Sequence, residues 1–142
     1  MKERKGMQII PQAVQIELPV LAMAYLGDAV YELYVRGYLL KKGYRKVQRL
    51  HEQATSMVCA SRQAEFLRKI EDRLTAEEKE IAKRGRNAKS GHAPKNIDIR
   101  EYRMSTGFET LLGYLFLREK EDRIEELMGH VIEIWEKDNM NT

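Results

Sequence analysis

Apolar residues recur along the chain at the spacing of helix faces, and no stretch alternates apolar and polar residues long enough for a strand. In LAMAYLGDAVYELYV, from Leu21 to Val35, only Asp28 and Glu32 are charged. A segment apolar almost all round predicts a buried central helix, here from Pro19 to Leu40. Pro19 suits its first turn, and Lys41, Lys42 and Gly43 give a basic last turn and a glycine stop. A second helical stretch covers about Val47–Ile70, with one stripe of Val47, Leu50, Ala54, Met57 and Val58 and another of Ala64, Phe66, Leu67 and Ile70. A break or bend is expected between the stripes, near Cys59–Ser61. Thr75 and Glu78 fit a capping box opening a third helix, which carries Ile81 inward and ends near Gly85.

GRNAKSGHAPKN, from Gly85 to Asn96, reads as a loop on its two glycines, proline and small polar residues. Asp98 with Glu101 offers a further capping box, for a helix from Ile99 to about Arg118. Its second half, FETLLGYLFL, has Glu109 as its only charge. A last helix over about Asp122–Trp135 buries Ile124, Leu127, Met128, Val131, Ile134 and Trp135, and the tail after Lys137 is expected to be loose. The fold class is therefore all-α. A chain of 142 residues implies one domain with enough core to fold without a disulfide or metal staple, its core over about 18–135 and its ends loose.

Composition excludes some classes. No run approaches the ~20 apolar residues a membrane helix needs, and the charged start MKERKGMQII lacks a secretory signal's apolar run. One cysteine, Cys59, cannot form an internal bridge, which suits a reducing compartment. A soluble, cytoplasmic protein is expected. The net charge of +3 is too small to argue for a polyanion partner. Its distribution argues more, because Ile81 to Ile97 holds no acid but includes Lys83, Arg84, Arg86, Lys89 and Lys95. Such a patch fits phosphate binding at one face, or a merely solvated loop.

Asp28 and Glu109 stand out as carboxylates in apolar helices. Asp28 follows Gly27, and the pair costs on the order of 1–2 kcal/mol in helix propensity. A buried, unpaired charge would cost several kcal/mol more. A divalent cation shared by both acids would supply the missing counter-charge. Mg²⁺ suits oxygen ligands, takes one or two carboxylates and keeps waters that can attack a phosphate. Other readings stay open. Thr106 and Glu109 fit a capping box if a helix restarts there, and Asp28 could pair with Arg36 or Arg103. Glu32, one turn after Asp28, could join the metal or form a surface salt bridge. His51, His92 and His130 lack metal-ligand spacing, and Cys59 reads as a small core residue.

The segment AYLGDAVYELYVR, Ala24 to Arg36, resembles the signature of the ribonuclease III family, matching at Tyr25-Leu26-Gly27-Asp28-Ala29-Val30. Thr106-Gly107-Phe108-Glu109-Thr110 resembles the family's second motif in its Phe and Glu, and LHEQATSMVCASRQAEFL resembles its connecting helices. The likeness covers about Leu18 to Trp135. It implies the helical ribonuclease III endonuclease-domain fold, in the small Mini-III branch that consists of the catalytic domain alone. What the resemblance implies is cleavage of double-stranded RNA by a homodimer, with Mg²⁺, or Mn²⁺ in its place, held by Asp28 and Glu109. The usual task is maturation of the 23S ribosomal RNA precursor. Further family acids do not carry over: Leu21, Ala24 and Thr106 stand at those positions, so fewer protein ligands and more waters are implied. The aromatic Tyr25 is expected at the dimer interface, with ordinary core as its alternative. Arg84, Arg86, Asn87, Lys89 and Lys95 are the candidate RNA contacts, with Ser90 available for hydrogen bonds. A ribosomal helper protein is left open as a partner. The competing functions are a non-catalytic helical RNA-binding or ribosome-associated module with the same fold, and a protein–protein adaptor using the Tyr25 face.

Overall fold

The computed structural model describes residues 18–89 and 93–140. Ser90, His92 and the charged N-terminal stretch lie outside the described residues. Among those described, the chain forms helices α1 (Val20–Lys42), α2 (Val47–Val58), α3 (Ala60–Ile70), α4 (Ala76–Asn87), α5 (Ile99–Leu117) and α6 (Glu121–Met140), with a 3₁₀ turn at Glu71–Arg73 and no strand. No helix among them is long and apolar enough to cross a membrane.

Helix ends follow local chemistry. Pro19 sits just outside α1, at its N-cap, and its carbonyl accepts the N–H groups of Ala22 and Met23. Gly43 ends the helix with φ 113°, a left-handed turn that glycine adopts without steric cost. The Tyr44 N–H then closes back on the Leu39 carbonyl at 3.2 Å. The long stretch over Val47–Ile70 does break, at Cys59, whose backbone is extended. Two carbonyls freed there are taken by side chains: the Tyr31 hydroxyl donates to Met57 O at 2.7 Å, and Gln63 Nε2 donates to Val58 O at 2.8 Å. Thr75 and Glu78 form the expected capping box in both directions. Asp98 caps α5 by accepting from the Arg100 N–H, but Glu101 does not complete a box; it faces Arg68 at 3.7 Å instead.

Three expectations need correction. α4 does not stop at Gly85. A Cβ there would fall 2.3 Å from Thr110 Oγ1, so the glycine serves close packing of α4 on α5, and the helix runs on through Arg86 to Asn87. The end of α6 is not loose after Lys137. Arg62 reaches Asp138 at 3.2 Å, and Glu136 accepts from Tyr38 and from Lys42, so α3 and α1 hold the last turns. Finally, α1 is not the central helix. α5 is, packed against α1, α3, α4 and α6, with Phe108, Leu111, Leu112 and Leu115 fully enclosed. Enclosing such side chains contributes roughly 1.5–3 kcal/mol each. α1 buries Tyr31, Val35 and Leu39 but leaves Leu21, Tyr25 and Leu33 exposed on its outer side.

The α1–α5 crossing is unusually close. A Cβ on Gly27 would lie 1.7 Å from the Glu109 carbonyl oxygen, and one on Gly113 would lie 2.0 Å from the Met23 carbonyl oxygen. Backbone meets backbone there, and only glycine fits at either position.

Candidate active site

That crossing builds the site. Gly27 lies on the Glu109 backbone, so Asp28, the next residue, projects beside the Glu109 side chain from the facing helix. The sequence penalty of a Gly-Asp pair inside an apolar helix thus has a cause in packing. Asp28 is open to solvent at the rim, and Glu109 is half-buried. The Glu109 carboxyl is pushed up to about 8, first by burial, then by the Asp28 charge, with a hydrogen bond shared with Asp28 and the charge of Glu32 adding to it. The Gln63 amide, reaching across from α3, pulls the other way by favouring the charged carboxylate.

The alternative roles for these acids do not hold. α5 is continuous through Thr106, whose hydroxyl donates to Tyr102 O at 3.0 Å, so Glu109 caps nothing. Arg36 is occupied by Glu32 at 3.0 Å, and among the described residues neither it nor Arg103 pairs with Asp28. Two acidic side chains therefore face each other with no cationic side chain paired to Asp28 among the described residues, and burial with the Asp28 charge favours a proton on Glu109. Their donor set fits a hard divalent cation, which favours carboxylate oxygens and keeps its remaining positions for water. Among the described residues no group of three or more His, Cys, Asp or Glu could form a fuller protein cage.

Gln63 was not foreseen from the sequence, although its spacing from Phe66, Leu67 and Ile70 marks it as facing inward. It is only 2% exposed, and its Oε1 has no hydrogen-bond partner. An unpaired buried acceptor costs roughly 1–3 kcal/mol.

The basic candidates divide between helix and connection. Arg84, Arg86 and Asn87 end α4, whereas Lys89 and Lys95 are exposed on either side of the undescribed residues. α4 runs antiparallel to α5: Glu77 accepts from the Tyr114 hydroxyl at 2.6 Å at one end, and Arg86 packs over Gly107 at the other. Arg86 thus packs on the Gly107 side of α5, a different face from the one Glu109 shares with Gly27 of α1. Tyr25 is 85% exposed on α1, which overturns the reading of it as core.

A helical bundle in which α1 and α5 cross on glycines and bring an aspartate beside a glutamate is an arrangement suited to holding a divalent cation. The ribonuclease III domain model matches residues 21–120. Mini-ribonuclease 3 of Clostridium tetani is 44% identical over 122 residues, 85% of this chain and 81% of that protein. Mini-ribonuclease 3 of Enterococcus faecalis is 47% identical over 118 residues, 82% and 89% of the two chains. A crystal structure of a Fusobacterium nucleatum protein superposes with a TM-score of 0.74 at 33% identity, covering 80% of this chain and 93% of that one. The chain belongs to the ribonuclease III family, in its Mini-ribonuclease 3 group. It is an endoribonuclease.

Proposed function

We propose that the protein hydrolyses phosphodiester bonds of double-stranded RNA as a homodimer, using Mg²⁺, or Mn²⁺ in its place, held by Asp28 and Glu109. The observation that carries this reading is the pair of acidic side chains brought side by side at the α1–α5 crossing, close enough that burial and the Asp28 charge push Glu109 up to about 8. A divalent cation there would polarise the scissile phosphate and make a bound water a better nucleophile. Asp28 and Glu109 supply its carboxylate oxygens from two rigid helices. The glycine crossing keeps those oxygens from drifting apart.

Arg84, Arg86 and Lys89 and Lys95 neutralise backbone phosphates, and Asn87 adds a hydrogen-bonding group beside them. Such contacts recognise a duplex by shape, because the A-form minor groove shows 2′-hydroxyls and phosphates rather than a readable base code. Tyr25, Leu21 and Leu33 form the face that pairs with a second copy. A two-fold dimer then offers one site to each strand of a duplex, which itself has approximate two-fold symmetry. The cellular substrate we propose is the 23S ribosomal RNA precursor, and the compartment the cytoplasm. Purified protein incubated with a long RNA duplex and with a matched single strand tests the reading. Cleavage of the duplex alone, dependent on Mg²⁺ and stopped by EDTA, is expected. Cutting that persists in EDTA, or that prefers the single strand, would contradict it.

A further inference from the structure

Gln63 is a polar residue enclosed in the face that α3 turns toward α5. Its Nε2 donates one hydrogen to Val58 O at 2.8 Å, which fixes the amide at the α2–α3 break. The same amide reaches the Glu109 carboxyl. Its Oε1, an acceptor shut off from bulk water, has no partner. A residue kept only to satisfy Val58 would not also need to set its amide against the Glu109 carboxyl.

We infer that Gln63 is a positioning residue for the divalent-cation site: enclosed between α3 and α5 and anchored on Val58, its amide holds the Glu109 carboxylate. This rests on the proposed cation site at Asp28 and Glu109. Groups that orient a metal ligand commonly change cation affinity by 10- to 100-fold when removed. Neither a capping role at the helix break nor simple space-filling predicts such an effect.

The test is Mn²⁺ binding followed by calorimetry on the full chain, beside thermal unfolding, for wild type, Gln63→Met, Gln63→Leu and Asp28→Asn. Gln63→Met keeps the unbranched shape and removes both hydrogen-bonding functions; Gln63→Leu gives a second apolar replacement if the first folds poorly. The expected result is about tenfold or greater weakening of Mn²⁺ binding in the folded Gln63 variants, and loss of binding in Asp28→Asn. If Asp28→Asn loses Mn²⁺ while a folded Gln63 variant binds it as wild type does, with only the melting temperature lowered, Gln63 is a helix-break cap and the inference fails. If Asp28→Asn itself binds Mn²⁺ like wild type, the cation site fails and takes the inference with it.

Discussion

Without a cation, Glu109 keeps its proton well above the ordinary carboxylate range, because burial and the Asp28 charge both disfavour its ionised form. Its folded value of about 8 exceeds the 4.5 of an unperturbed glutamate, so between those limits the native chain binds more protons than the unfolded one. This contribution to stability is complete below pH 4.5 and is lost as the pH rises through about 8. Melting temperatures in EDTA should therefore decline across that window more in wild type than in Glu109→Gln. Parallel profiles for the two would show that Glu109 is not perturbed. Gly27 is as strict a residue for a different reason, since any side chain there meets the Glu109 backbone. Gly27→Ala should cost about 3 kcal/mol, the upper part of the usual range for overpacking, measured by urea unfolding. It should also separate Asp28 from Glu109 and lose cleavage at temperatures where it remains folded.

At the level of elements, α4 is tied to α6 through Glu78. The acid is only 5% exposed, and burial alone would raise its pKa. Two hydrogen bonds from Arg123 at 2.8 Å, with the Thr75 backbone and hydroxyl, outweigh that and hold it below the usual carboxylate range. Arg123→Met should strand this carboxylate and destabilise the fold by about 3 kcal/mol, read by chemical denaturation; a loss under half of that would show the pair to be dispensable. The capping box behind this contact was legible in Thr75 and Glu78, as were the helices, their order and the break at Cys59. The order of burial was not. α1 and α5 look equally apolar, and only packing decides that α5 is enclosed while α1 keeps Tyr25 and Leu33 outside. The reach of α6 to Met140 depends on partners from α1 and α3 that are distant in sequence. For the site, the two acids announced themselves by their apolar surroundings. Gln63 did not, because a single amide in an amphipathic helix looks like any polar residue until its neighbours are known.

For the whole molecule, the outer side of α1 exposes 85% of Tyr25 and 70% of Leu33. In the proposed dimer this is the side of α1 that would meet the second copy. Tyr25→Asp should leave the fold intact by circular dichroism and shift sedimentation from dimer to monomer; a variant that sediments as wild type does would move the interface elsewhere. The catalytic account rests on two carboxylates from separate helices acting together on an RNA duplex. Its most direct test is single-turnover cleavage of a long duplex in Mg²⁺ by wild type, Asp28→Asn and Glu109→Gln. Both variants should bind duplex, dimerise and fall at least about 1,000-fold in rate, on the order of 4 kcal/mol of lost transition-state stabilisation. Wild-type rates from either folded variant would contradict the account.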